Sequence, residues 1–148
     1  MDMKKIIFTL LLVVLGFGAA NADKYTLDRS ALPEEAQQML KEHFPKAKVS
    51  MIKVDRHLLK KTDYDVKLVN GTKIEFNNAG KWTSVDCKKR EVPQGLVMKP
   101  IQRYVTKNFP GVKIVKIEKD FKGFEVDLSD GVELKFDRLG TFKGADVD

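Results

Sequence analysis

Apolar and polar residues change period twice along the chain, in the same order each time. Ala36, Met39, Leu40 and Phe44 recur at spacings of three or four, which is one stripe of a helix. Pro33 followed by Glu34 and Glu35 suits the positive end of that helix, and Pro45 stops it. The period then falls to two: Tyr64, Val66 and Leu68 alternate with Asp63, Asp65 and Lys67, and Ile74 and Phe76 with Lys73 and Glu75. The pattern restarts at Pro100, with Ile101, Tyr104, Val105 and Phe109 as the helical stripe and Pro110 as its stop. Phe124, Val126, Leu128, Leu134 and Phe136 then alternate with Glu125, Asp127, Glu133 and Lys135. Alternation of one apolar and one charged set predicts strands of a sheet with one buried and one wet face.

The two halves are one motif written twice. Phe44-Pro45 and Val49 match Phe109-Pro110 and Ile114 at an offset of 65; Tyr64-x-Val66-x-Leu68 matches Phe124-x-Val126-x-Leu128 at an offset of 60. The same offset of 60 relates Asn70-Gly71 to Asp130-Gly131 and Gly80-Lys81-Trp82 to Gly140-Thr141-Phe142. The first copy therefore carries five extra residues, within the stretch from Asp55 to Lys61. Asn70-Gly71 and Asp130-Gly131 read as two-residue hairpin turns, with both positions at positive φ. Each copy becomes α-β-β-β-β. A unit of about 60 residues buries too little surface to be more than marginally stable alone. The short linker Val92-Pro93-Gln94-Gly95 favours a shared core over two separate sheets. The expected fold is α+β, one antiparallel sheet of about eight strands with two helices on one face.

The N-terminus is of another kind. Lys4-Lys5, an apolar run from Ile6 to Phe17 and Ala20-x-Ala22 make a secretory signal cleaved after Ala22. Its apolar run is too short for a bilayer core of ~30 Å, so no transmembrane segment is expected after cleavage. The organisation is then a signal peptide at 1–22, a first repeat at 23–91 and a second at 92–148.

Composition narrows the chemistry. One cysteine, Cys87, among 148 residues excludes a disulfide framework and a cysteine-based zinc site. Cys87 ends a strand-like run, which favours burial. The chain carries a net charge of +6, but export separates it from nucleic acid, which is not an expected partner. The excess sits in the first repeat, with 15 basic and 11 acidic residues at 23–91 against 10 and 9 at 92–148, a bias that suits an acidic envelope partner. There is no phosphate-binding glycine loop, nucleophile elbow or metalloprotease helix. His43 reads as a surface histidine at a helix end, and His57 falls in the longer hairpin. Trp82 and Phe142, at matching positions, read as core aromatics.

The order Leu-Pro, helix, Phe-Pro, strand, (Tyr/Phe)-x-Val-x-Leu, (Asn/Asp)-Gly, glycine turn, aromatic, duplicated behind a signal, resembles the PepSY-like family of tandem-repeat periplasmic proteins. That family is similar in fold to β-lactamase inhibitor protein. The resemblance implies a periplasmic protein-binding or inhibitory module without catalytic residues, and calcium regulation in some relatives. The expected function is non-enzymatic binding of a periplasmic or envelope protein through the wet sheet face and hairpin loops. The candidate residues are His57, Leu58, Leu59, Asp63, Asp65, Lys67, Lys73, Glu75, Glu125, Asp127, Glu133 and Lys135, with Leu58-Leu59 as the apolar anchor. The alternative is a calcium-responsive envelope protein, since carboxylates two apart share a strand face; a small hydrolase would need a pocket that no residue pattern announces. No cofactor is expected beyond that Ca²⁺.

Overall fold

The computed structural model describes residues 23–56 and 62–147. Nine strands form one antiparallel sheet whose order follows the chain from end to end. They are β1 Lys24–Thr26, β2 Val49–Asp55, β3 Asp63–Leu68, β4 Lys73–Phe76, β5 Trp82–Asp86, β6 Ile114–Lys119, β7 Gly123–Leu128, β8 Val132–Asp137 and β9 Phe142–Val147. Helix α1, Glu34–His43, precedes β2, and α2, Lys99–Asn108, precedes β6. Each repeat is thus a helix followed by a four-strand meander, and the two meanders join where β5 pairs with β6 through Ser84↔Glu118, Val85↔Ile117 and Asp86↔Lys116.

Strand β1 is the element the periodicity did not announce, because three residues are too few to show alternation. Its place has a simple geometric meaning. Tyr25 lies opposite Lys53 and Thr26 opposite Ile52, as Ser84 lies opposite Glu118 and Val85 opposite Ile117. Since Lys53 and Ile52 correspond to Glu118 and Ile117, β1 covers the first repeat as β5 covers the second.

The helical stripes and the apolar strand positions meet in one core. Ala36, Leu40, Ile52, Ile74, Phe76, Val85, Ile101, Ile117, Val126, Leu134 and Phe136 are among its most buried side chains, drawn from both repeats. Burying a Leu, Ile or Phe side chain stabilises by about 1.5–3 kcal/mol, so pooling two repeats into one core overcomes what a 60-residue unit lacks. Two glycines fit the turns closely beneath the helices. Gly80 (φ 87°) and Gly140 (φ 84°) take the left-handed conformation, and a Cβ there would approach Pro33 to 2.8 Å and Pro100 to 3.1 Å.

The hairpin turns differ from the two-residue reading. Leu68 N–H donates to the Thr72 carbonyl at 2.8 Å, leaving Val69, Asn70 and Gly71 as a three-residue loop. Only Gly71 of these, and Gly131 in the second repeat, has positive φ; the Asn70 side chain accepts from Thr72 N–H instead. The amide caps the turn locally, so the left-handed residue falls one position later. His43 also departs from expectation. It is half-buried, and a Cβ on Gly95 would meet its ring at 2.8 Å, so the last turn of α1 packs on the linker. Cys87 is buried, and burial pushes its thiol pKa up against an opposing hydrogen bond from Thr72.

Candidate functional site

Antiparallel pairing keeps directly opposed residues on one side of a sheet, so the register assembles the bare face by itself. One row runs Tyr25, Lys53, Asp65, Glu75, Ser84, Glu118, Glu125, Lys135, Gly144. The next runs Met51, Lys67, Lys73, Asp86, Lys116, Asp127, Glu133, Asp146. All nine candidate residues on strands, Asp63, Asp65, Lys67, Lys73, Glu75, Glu125, Asp127, Glu133 and Lys135, fall on this face. His57, Leu58 and Leu59 lie outside the described residues. The pairing adds residues that alternation alone did not select: Tyr25, Met51, Lys53, Ser84, Asp86, Lys116, Glu118 and Asp146. The relevant signal was present for Lys116 and Glu118 in Ile114-x-x-Ile117, but a bulge between Ile114 and Lys116 breaks its period.

The face has a sign, and it is opposite to that of the chain. On the second repeat it presents Glu118, Glu125, Asp127, Glu133 and Asp146 against Lys116, Lys135 and Lys143. On the first, Asp55, Asp63, Asp65, Glu75 and Asp86 stand with Lys53, Lys67 and Lys73. Equivalent positions even reverse charge: Lys53 becomes Glu118, Lys67 Asp127, Lys73 Glu133 and Glu75 Lys135. The basic excess read from composition therefore lies elsewhere, on helix and loop residues such as Lys41, Lys46, Lys48, Lys89, Arg90, Lys99 and Lys107, all exposed.

Some charges are paired within the face. Lys116 Nζ lies 2.8 Å from Glu118 Oε1, Lys135 3.4 Å from Asp146, Lys53 3.3 Å from Asp23 and Lys88 3.2 Å from Asp86. The middle of the first row is less balanced. Asp65 opposes Glu75 and Glu118 opposes Glu125. Burial raises the Glu75 pKa, and the Asp65 and Glu118 carboxylates push it the same way, against Lys73 and Lys116. Burial also raises that of Asp65, with Lys53 and Lys73 opposing.

A cleft of about 390 Å³ opens beside these opposed carboxylates, lined by Glu75, Glu118, Asp120 and Glu125 together with Lys119, Lys122, Lys135 and Lys143, so its charges are mixed rather than acidic. Gly123 is required there, because at φ 147° a Cβ would come within 2.1 Å of the Phe136 carbonyl. Exposed apolar surface on the same face is concentrated at its first edge, where Tyr25 (58%) and Met51 (42%) are uncovered. The matching aromatics lie at the opposite surface. Trp82 packs at the rim of the core beneath Lys119 Nζ, 4.0 Å from the ring centroid, whereas Phe142 stacks on Tyr104 at 4.3 Å and is more exposed than a core role predicts.

Among the described residues, no group of three or more His, Cys, Asp or Glu side chains is arranged to hold a metal ion. His43 is on a helix end rather than in the cleft, and Cys87 is buried in the core. What the cleft offers is a fixed pattern of charge.

The fold and face define a class: a duplicated helix-plus-meander protein with one covered and one bare, charge-patterned sheet face. The chain belongs to the PepSY-like family, whose model, described as "Putative beta-lactamase-inhibitor-like, PepSY-like", matches residues 20–61 and 62–144. It is similar to a crystal structure from Bacteroides vulgatus described as a "putative periplasmic protein of unknown function", at 40% identity over 84% of this chain and 99% of that one, with a TM-score of 0.80. A Bacteroides thetaiotaomicron structure described as a "putative calcium-regulated periplasmic protein" shares 41% identity over 86% of this chain and 99% of its own, with a TM-score of 0.80. No curated protein matches the chain. No helix among the described residues is long and apolar enough to cross a membrane.

Proposed function

We propose that the protein is exported to the periplasm and acts there as a non-enzymatic protein-binding module, docking a partner on its bare sheet face. The observation that carries this reading is the sign of that face. A chain with an excess of lysine and arginine has placed acidic residues in majority on one sheet surface, and the reversals between repeats make the surface a pattern rather than a uniform field. Such a pattern steers encounter and selects partners more than it adds affinity. The fitting partner presents a basic surface, and Tyr25 and Met51 at the rim provide apolar contact of the kind that anchors interfaces. The descriptions of the relatives as periplasmic support the location. An inhibitory role follows if the partner is an enzyme whose active site the docked face covers.

The test is capture from an envelope fraction by residues 23–148, with Glu118→Lys/Glu125→Lys compared against the helix-side reversal Lys41→Glu/Lys107→Glu. A partner lost with the face variant, retained with the helix variant and released by salt is the expected result. Equal retention by both variants would remove the bare face from the interaction.

A further inference from the structure

The two repeats end on equivalent strands with unequal surroundings. Trp82, Ser84, Val85, Asp86 and Cys87 of the first correspond to Phe142, Gly144, Ala145, Asp146 and Val147 of the second. In the first repeat Val85 and Cys87 are buried, because β6 lies alongside. In the second, no strand among the described residues pairs with the outer side of β9, and Val147 is 78% exposed. Strand β9 also carries the bulge of β5: pairing shifts between Lys135 and Phe136 as it does between Glu75 and Phe76. That bulge does not prevent β5 from pairing on its far side, since Ser84, Val85 and Asp86, just beyond it, are the residues that take β6.

Backbone direction can be carried over as well. Cys87 N–H donates to the Val115 carbonyl at 2.9 Å. In an antiparallel pair every second residue points the same way, so Val85 also turns its N–H and C=O toward β6. Its counterpart Ala145 turns the same two groups to the outer edge of the sheet. Unpaired edges of this length template strand addition, and proteins bind extended segments on them.

We propose that the outer edge of β9, centred on Ala145, is a strand-addition site for an extended antiparallel segment of a partner protein, apolar opposite Ala145 and Val147 and basic opposite Asp146. The chemistry of that segment is read from the one strand seen in the equivalent place. In β6, Ile117 stands opposite Val85, Lys116 opposite Asp86, and Val115 accepts from Cys87. Asp146 repeats Asp86, and Ala145, smaller than Val85, leaves room for a larger apolar side chain. The edge shares Asp146 with the bare face, but its outward N–H and C=O groups lie beyond that face, so Ala145→Pro tests strand addition without altering the charges of the docking surface above.

The probe is a fluorescent peptide of sequence Lys-Ile-Val-Lys-Ile-Glu-Lys, the residues 113–119, titrated by anisotropy with residues 23–148, which contain every described element. Saturable binding is expected, weakened about tenfold or more by Ala145→Pro, which removes the outward N–H, and unchanged by Tyr25→Pro at the opposite edge. Should Ala145→Pro fail to fold, Asp146→Lys serves: it weakens the native peptide and favours one with Glu at its central Lys. Equal binding of a scrambled peptide, loss with Tyr25→Pro but not Ala145→Pro, or a chain already dimeric through β9 would each overturn the proposal.

Discussion

The last strands of the two repeats teach more when set side by side than either does alone. They share a turn with a left-handed glycine, a bulge and an aspartate at the same place. One sits in the middle of a nine-stranded sheet and the other at its edge. Val85 is fully buried, while its counterpart Ala145 is exposed. The repeat therefore dictates backbone path, but burial, and with it energetic weight, is set by what lies next door. The bare-face residues show the same separation. Lys53, Lys67, Lys73 and Glu75 keep their positions in the second copy and reverse their charge, because solvated positions constrain polarity and not sign.

The largest expected break of this equivalence is a charge placed at the paired positions. Val85→Asp puts a carboxylate without a partner into the core and is expected to cost at least about 4 kcal/mol, while Ala145→Asp stays within about 0.5 kcal/mol. Urea unfolding of both variants measures the contrast, and similar losses would mean that β9 is covered in solution. A smaller contrast concerns the turns under the helices. Gly80→Ala and Gly140→Ala both force a side chain into the left-handed region, at about 1–3 kcal/mol. Gly80 is expected to lose more, since its Cβ would meet Pro33 and the Ala36 amide more closely than that of Gly140 meets Pro100.

The smallest effects lie on the bare face. The Glu75 carboxylate titrates above its ordinary value of 4.5 in the folded chain, so the folded state holds its proton more tightly than the unfolded state does. Its ionisation therefore destabilises the fold at neutral pH, and that penalty is relieved as pH falls through the folded value. Glu75→Gln is expected to raise Tm by about 1–2 °C at pH 7, with the gain vanishing near pH 4. Lys135→Gln, at the equivalent position, gives no such gain, because Lys135 titrates above its usual range through its hydrogen bond to Asp146. Millimolar Ca²⁺ is expected to move Tm by less than about 1 °C, since no group of three or more carboxylates among the described residues is arranged to hold the ion; a rise of several degrees would favour the calcium-responsive reading.

Much of this was legible in the chain. The alternation of Tyr64, Val66 and Leu68 against Asp63, Asp65 and Lys67 located both the strands and the face they present, because a pleat turns successive side chains to opposite sides. Three things were not legible. Strand β1 is too short to show a period. Lys116, Glu118 and Asp146 belong to strands whose bulges interrupt theirs. The hairpins at Asn70 and Asp130 look like two-residue turns until the side-chain caps on Thr72 and Val132 move the glycine to the third position.

The sequence by itself determined the repeat, the elements, and which residues face water, since helical and strand periods are local properties of the chain. Only the tertiary structure decided the order of strands across the sheet. It thereby decided which charges oppose one another, that the bare face is acidic in a basic chain, and that one of two equivalent strands is left with an open edge. Those are consequences of pairing between distant segments, and no local pattern encodes a neighbour.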